Sequence, residues 1–230
     1  MKIGIITYHF ARNYGAILQC YALQEQLRSM GHDVWVLNFQ NDRQERNNSL
    51  HHKRDGFLSN LAVNVALLPF EGKRRSKERK FAEYESRYLH LTPRFYSIEE
   101  MRDFVNKESF DLLISGSDQV FNPNIADFDE AFLFPFETSA RKGSFAASLG
   151  SATETELAPF SDDLASFDVL CVRENTDAPV VNSLCGRSPE VVDDPVFLLD
   201  SKRWAQAVNT SVEDCGYVLG YYINKEASAR

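Results

Sequence analysis

The chain contains no Cys-x-x-Cys pair. Its four cysteines, Cys20, Cys171, Cys185 and Cys215, are widely spaced, so zinc-ribbon and dithiol redox motifs are excluded and buried free thiols of a reducing compartment are expected. Basic residues are in the minority, 25 against 33 acidic ones, and the formal charge of −8 offers no general attraction for nucleic acid or an anionic membrane. No apolar run approaches membrane-spanning length. The amino terminus passes from Met1-Lys2 directly into Ile3-Gly-Ile-Ile-Thr7, too short and too strand-like for a signal peptide. A cytoplasmic protein is expected, peripheral at most to the inner face of the membrane. There is neither a Gly-x-Gly-x-x-Gly fingerprint nor a Walker lysine, so the usual nucleotide signatures are missing. His51-His52 lie side by side in a polar stretch without ligand spacing, and no metal site is expected.

What the chain does contain is a regular alternation of apolar runs and amphipathic segments. Its 230 residues can bury one good core, or one core and the beginning of another. Strands are expected at 2–8 and 33–39. Between them Ala16, Cys20, Leu23, Leu27 and Met30 form one apolar stripe at helical spacing, closed by Gly31 as a left-handed cap. This is a βαβ unit, whose right-handed crossover makes the two strands parallel neighbours. Residues 40–56 read as polar and mobile, 57–68 as a short apolar helix ended by Pro69, and 73–90 as a helix burying Phe81, Tyr84 and Tyr88.

The first turns of that last helix carry Lys73, Arg74, Arg75, Lys77, Arg79 and Lys80, a placement unfavourable for the helix dipole. A solvated basic face explains it, with contact to an anionic sugar polymer as the alternative. Ser97 caps a helix running to about residue 106. Strands at 111–115, 142–148, 168–172 and 190–193 follow, with helices at 154–166 and 176–184 and an irregular aromatic segment at 124–137. Such alternation predicts an α/β fold with a doubly wound, mostly parallel sheet. A last apolar strand at 216–223 stands without a covering helix, an edge that pairs with another chain or with further sequence.

In a parallel sheet the loops at the carboxyl ends of the strands gather on one edge, where ligands bind. Four such strand ends carry polar groups. Gly116-Ser-Asp-Gln-Val-Phe-Asn122 leaves the strand at 111–115, and a self-satisfied Asx or Ser turn is its plainer reading. His9-Phe-Ala-Arg-Asn-Tyr-Gly15 leaves the first strand and opens a helix, where backbone N–H groups and the dipole favour anions; Asn13 also suits an N-cap. Arg173-Glu174-Asn175 ends the strand at 168–172, and Ser148 ends the one before it.

Taken in order, Ile5-Ile-Thr-Tyr8 with Asn13-Tyr-Gly-Ala-Ile-Leu-Gln19, Gly116-Ser-Asp-Gln-Val-Phe-Asn-Pro123, Phe145-Ala-Ala-Ser-Leu-Gly150, Val172-Arg-Glu-Asn175, and Asp193-Asp-Pro-Val-Phe-Leu-Leu199 before Trp204 resemble the amino-terminal half of the polysaccharide pyruvyl transferase family. The resemblance implies a two-lobed fold similar to the glycosyltransferase B type, with residues 1–210 as the Rossmann-like amino-terminal lobe and 211–230 as the first strand of a second, largely missing lobe. It also implies transfer of pyruvate from phosphoenolpyruvate onto two hydroxyls of a polysaccharide sugar as a ketal, with no cofactor beyond that donor.

On this reading Arg173 binds the carboxylate or phosphate of phosphoenolpyruvate, as a guanidinium can do bidentately. A salt bridge to Glu174 or Asp168 is its alternative. Asp118 accepts from a sugar hydroxyl, Ser117, Gln119 and Asn122 hold the ring, and His9, Asn13, Tyr14, Gly15 and Ser148 complete the substrate-binding set. The family's histidine donor is expected in the second lobe; among the histidines present only His9 lies on the matching edge. Two other readings remain: a nucleotide-sugar glycosyltransferase of similar fold, and a non-catalytic carbohydrate-binding protein. Strand 216–223 would serve as a homo-oligomer contact.

Overall fold

The computed structural model describes residues 1–49, 67–208 and the single positions 63, 65 and 216. The chain divides into two compact units, Met1–Leu199 and Asp200–Arg230. In the second, Ser201–Val208 is helical, with Asp200 receiving the backbone N–H groups of Arg203, through its side chain, and Trp204. The expected domain boundary at 210 and the strand at 216–223, apart from Gly216, lie outside the described residues, as do His51 and His52.

The first unit is built on β1 (Lys2–Ile6), β2 (Asp33–Val36), β3 (Leu112–Ser115) and β4 (Arg141–Ser144), hydrogen-bonded in the order β2-β1-β3-β4 and parallel throughout. A short parallel pair, β5 (Cys171–Val172) and β6 (Glu190–Val191), adjoins β4 through single bridges at Gly143–Val169 and Ala147–Val172. The helix α1 (Tyr14–Ser29) connects β1 to β2 as the apolar stripe requires. Ala16, Cys20 and Leu23 are buried, Met30 is exposed, and Gly31 takes φ +86° directly after the cap.

Strand alternation sends side chains to two faces, and both are covered. Ile3, Ile5, Val34 and Ile114 meet Leu23 and Leu27 of α1. On the other face Ile6, Leu37 and Leu113 join Met101 and Val105 of a helix at Ile98–Lys107 and the aromatic segment with Phe128, Phe132 and Phe134. Each such aliphatic side chain contributes about 1.5–3 kcal/mol on burial. Sheet strands covered on both sides explain why the runs read as continuously apolar rather than alternating.

In chain order the remaining helices are α2 (Asp42–Asn47), α3 (Glu71–Tyr88), α4 (Ile98–Lys107), α5 (Glu154–Leu157), α6 (Ser161–Ala165), α7 (Asp177–Cys185) and α8 (Ser201–Val208). Several differ from the sequence expectation. Residues 42–47 are a capped helix instead of a mobile stretch. Asn41 and Gln44 form a reciprocal capping box, and Gln44, Asn47 and Asn48 hydrogen-bond to residues 126–127.

The described positions 63, 65 and 67 are helical and give way at Pro69 to a 3-10 turn, Leu68–Phe70, as the apolar stretch was expected to end; that turn then leads into α3. The helix expected at 154–166 is interrupted by a 3-10 turn at Ala158–Phe160, where Pro159 lacks the N–H a continuous helix needs. The strand expected at 142–148 stops at Ser144 because Ala146 adopts φ +49°, which leaves the pleat.

Candidate functional site

The strand order reverses between β1 and β3: α1 leads away to β2 on one side, and the chain goes on from β3 to β4 on the other. Ligands of doubly wound sheets bind at such a switch point, outside the carboxyl ends of the strands. Four chain segments reach this edge here. They are residues 7–15 after β1, 116–122 after β3, 145–150 after β4 and 173–177 after β5.

The edge is held together by groups that point inward. Gly116, at φ +113°, lies so close to the next strand end that a Cβ would sit 2.5 Å from the Phe145 carbonyl oxygen. Ser117 is fully buried: its N–H donates to Gln19 Oε1 at 3.1 Å, its hydroxyl donates to the Ala146 carbonyl at 3.0 Å, and its own carbonyl accepts from Thr7 Oγ1 at 2.8 Å. Gln19 in turn donates to Thr7 Oγ1 at 2.9 Å, so one small network clamps β1, α1 and β3 together. Asn122 is buried as well, donating to Gln119 Oε1 and accepting from the Asn124 N–H. Gly150 leaves room for that amide pair. Buried Ser148 accepts from the Gly150 N–H at 3.0 Å.

His9 belongs to the same class. It is 2% exposed, with Nδ1 3.2 Å from the Thr7 carbonyl oxygen and Nε2 3.1 Å from the Asn38 side chain. Burial lowers its pKa, so the ring is held neutral. Both ring nitrogens face oxygens, that of the Thr7 carbonyl and Asn38 Oδ1, and a neutral imidazole, which donates from one nitrogen only, donates to one of the two. The ring thus ties the end of β1 to the segment after β2.

Three strand ends meet side by side around Asp118 and Arg173. The Ser148 N–H donates to the Asp118 carbonyl at 2.9 Å, and the Arg173 N–H donates to the Ala147 carbonyl at 3.0 Å. Asp118 adopts φ +80°, and its Oδ1 accepts from the Gln119 N–H at 2.8 Å. Arg173 is half-buried and paired on two arms: Nε donates to Glu174 Oε1 at 2.8 Å and an Nη to Asp194 Oδ2 at 3.2 Å. Burial opposes its charge, but the hydrogen bond and charge of Glu174, with Asp194 and then Asp118, hold its pKa above the ordinary value. The ion pair with Glu174 is therefore present. Asp168 instead accepts from the Lys142 N–H and lies beside Arg141.

A further acid, Asp177, and a phenol, Tyr8, complete this corner, and the sequence reading passed over their roles. Asp177 is buried at the start of α7 and accepts from the Leu149 N–H at 2.9 Å. Burial raises its pKa and the neighbouring Glu174 carboxylate raises it further, so the pair favours sharing a proton. Tyr8 lies two residues beyond β1, with its hydroxyl buried and without a hydrogen-bond partner. Burial pushes that phenol up, and the charge of Asp118 adds to the shift. The available sequence signal for Tyr8 was its position at an expected strand end; Asp194 lay in the motif that begins at Asp193, which marked its place but not its pairing with Arg173.

Residues 13–15, at the start of α1, are open by contrast. Asn13 caps α1 by accepting from the Gly15 N–H at 2.8 Å, and Tyr14 is 66% exposed with its ring 4.9 Å from Phe81. Of the ten residues named from sequence, Asp118, Arg173, Gln119 and Ser148 come together, whereas Asn13, Tyr14 and Gly15 form a separate group at the start of α1.

The family model for Polysaccharide pyruvyl transferase matches residues 13–229, nearly the whole chain. The chain belongs to the polysaccharide pyruvyl transferase family. A search of curated proteins gives no significant match. The pyruvyl transferase match takes in the loops after β3, β4 and β5 and the start of α1, and it begins after His9. Among the described residues no group of three or more His, Cys, Asp or Glu side chains is arranged to hold a metal, and no helix is long and apolar enough to cross a membrane.

Proposed function

We propose that this family member transfers pyruvate from phosphoenolpyruvate to a sugar of a cell-surface polysaccharide, forming a ketal in the cytoplasm. Ketal formation joins two sugar hydroxyl oxygens to C2 of the enolpyruvyl group. The methylene carbon takes up one proton, the C2–O bond to phosphate breaks, and the second hydroxyl proton leaves with the phosphate. The reaction needs a cation for the donor's anionic groups and an acceptor for hydroxyl protons.

The observation that carries the reading is the placement of Asp118 and Arg173 on the strand ends either side of the loop after β4, where Asp118 bridges to Ala147 and Ala147 to Val172, with the Asp118 charge acting on Arg173. In this reading Arg173 turns its guanidinium to the donor and Asp118 takes the hydroxyl proton. Glu174 and Asp194 hold the guanidinium in place until an anion competes for it. Asp177, through Glu174 and the Leu149 N–H, positions the loop after β4.

One observation favours a second reading. An arginine already satisfied by two carboxylates also suits a non-catalytic carbohydrate-binding protein, in which the pair is structural. The decisive experiment supplies phosphoenolpyruvate with a sugar acceptor and follows inorganic phosphate together with the ketal methyl signal by NMR. Acceptor-dependent release of both supports transfer. Sugar binding without phosphate release supports the second reading, and turnover of a nucleotide sugar in place of phosphoenolpyruvate overturns both.

A further inference from the structure

We propose that Tyr8 is an acceptor-binding residue at the strand-end edge, its hydroxyl donating a hydrogen bond to one hydroxyl oxygen of the sugar while Asp118 receives the proton of the neighbouring hydroxyl. The inference rests on the reading of Asp118 as the group that meets the acceptor. Tyr8 itself precedes the residues that the family model matches.

Backbone pairing places it. β1 and β3 run parallel with Ile6 opposite Ser115, and their contact continues past both strands: the Gly116 N–H donates to the Ile6 carbonyl at 3.0 Å, and Thr7 Oγ1 donates to the Ser117 carbonyl at 2.8 Å. The next residue on each side is Tyr8 and Asp118, at the point where the strand order reverses. The Asp118 carbonyl accepts from the Ser148 N–H, and the Arg173 N–H donates to the Ala147 carbonyl. Tyr8, Asp118, Ser148 and Arg173 therefore follow one another along a single edge.

The Tyr8 hydroxyl is unspent. Thr7 turns its own hydroxyl toward α1, into the network with Gln19 and Ser117, whereas Tyr8 turns to the other face. There its ring makes edge-on contacts with Phe132 at 4.6 Å and Phe10 at 6.0 Å, which hold it in place. Its Oη is buried and has no hydrogen-bond partner among the described residues. Two nearby carboxylates are engaged elsewhere: Asp127 accepts from Asn47 and Asn48, and Asp129 from Asn41 and the Ala131 N–H. Burial raises the phenol's pKa, the charges of Asp118, Asp127 and Asp129 add to the shift, and Arg43 opposes it, so the group stays protonated and donates. An unpaired buried hydroxyl is costly, and a ligand that completes the bond accounts for keeping it.

The surroundings select a neutral diol. The same three carboxylates repel an anion, and a cation has no use for a donor. A sugar satisfies both groups at once, with one hydroxyl donating to Asp118 and its neighbour accepting from Tyr8. A ketal joins two such hydroxyls. Tyr8 keeps its proton throughout, and the proton lost by the attacking hydroxyl goes to Asp118. The sugar approaches past Asp118 and Gln119, which keep partial exposure, and meets a side chain only 5% exposed. A hydrogen bond made out of water discriminates strongly against a ligand that lacks the hydroxyl.

The test titrates the whole chain, wild type and Tyr8→Phe, with the methyl glycosides of glucose, galactose and mannose, and follows phosphate release from phosphoenolpyruvate with the same acceptors. Tyr8→Phe is expected to bind the glycoside preferred by wild type about tenfold more weakly and to raise its KM by a similar factor, with the KM for phosphoenolpyruvate unchanged. Deoxygenating that glycoside at the position Tyr8 meets should cost wild type the same factor and the variant little. The urea midpoint of Tyr8→Phe should equal or exceed that of wild type, because the hydroxyl it loses has no partner in the protein. Weakened sugar binding by Tyr8→Phe with no phosphate release by wild type keeps Tyr8 in the site and removes the transfer reading. Pyruvyl transfer by wild type with the same acceptor KM in Tyr8→Phe keeps the transfer reading and overturns the proposal. It is also overturned if folded wild type binds none of the three glycosides, or if Tyr8→Phe lowers the urea midpoint and leaves sugar affinity unchanged.

Discussion

The loops after β1 and β3 leave neighbouring strands of one sheet, yet they are built in opposite ways. The loop after β3 is closed: Ser117 and Asn122 spend their hydrogen bonds inside the protein, and only Asp118 and Gln119 retain partial exposure. Beyond buried His9 and Phe10, the loop after β1 is open, with Asn13, Tyr14 and Gly15 at the surface and Arg12 held against α3 by ion pairs. The first arrangement suits a carboxylate that must keep one position relative to Arg173. The second is held to its neighbour by ion pairs of long side chains, and substitutions in its exposed part should cost far less.

Glycine substitutions should expose that difference most strongly. Gly116→Ala puts a methyl group against the Phe145 carbonyl oxygen at a backbone angle that disfavours any side chain, and a loss of about 3 kcal/mol is expected. Gly15→Ala places its methyl group 3.4 Å from Asn13 Oδ1 in the first turn of a helix, where alanine is preferred, and stability should change by less than about 0.5 kcal/mol. Urea unfolding of both variants measures this directly. Similar losses in the two would mean that the loop after β1 is as tightly built as its neighbour.

Within the closed edge, Arg173→Ala is expected to lower the pyruvyl transfer rate about 100-fold, the magnitude typical of removing one preorganised charge from a reacting group. The two carboxylates it leaves behind, Glu174 and Asp194, are partly exposed, so circular dichroism should remain native. A normal rate would confine Arg173 to holding those acids, which strengthens the carbohydrate-binding reading.

The sequence made the scaffold legible because its signals are local. The Ala16–Leu23 stripe, Asn13 and Ser97 as caps and Gly31 after α1 each act within one helical turn, and each appears as read. The Asn41–Gln44 capping box was equally local, but the surrounding polar residues concealed it. At the edge the failure has a different cause. Burial of His9 depends on Asn38, and that of Ser117 on Gln19 and Thr7, partners 29, 98 and 110 positions away. A polar residue at a strand end reads the same whether its partner is a ligand or a distant side chain. Only the folded chain separates Asp118, which keeps an open side, from Ser117 next to it.

That separation makes Asp118→Asn the sharper test of the closed loop. The amide preserves the hydrogen bond to the Gln119 N–H while removing the base, so the fold should be unchanged. Acceptor KM is expected to rise about tenfold, with smaller effects on the donor. An unchanged acceptor dependence would leave Asp118 as a turn residue.

The smallest effect should come from Glu85, beside the open loop. Burial raises its pKa from the ordinary 4.5 to about 6, and Arg12 offsets this only in part. Because the folded value is the higher one, the folded state binds the extra proton. The associated stability is full below about pH 4.5 and is lost as pH rises through about 6. Glu85→Gln resembles the protonated form at every pH. It should match wild type near pH 4, exceed it by roughly 1 kcal/mol at pH 7, and flatten the pH dependence between those limits. Denaturant midpoints measured across that interval decide it: parallel curves for wild type and variant would mean that Arg12 compensates Glu85 fully.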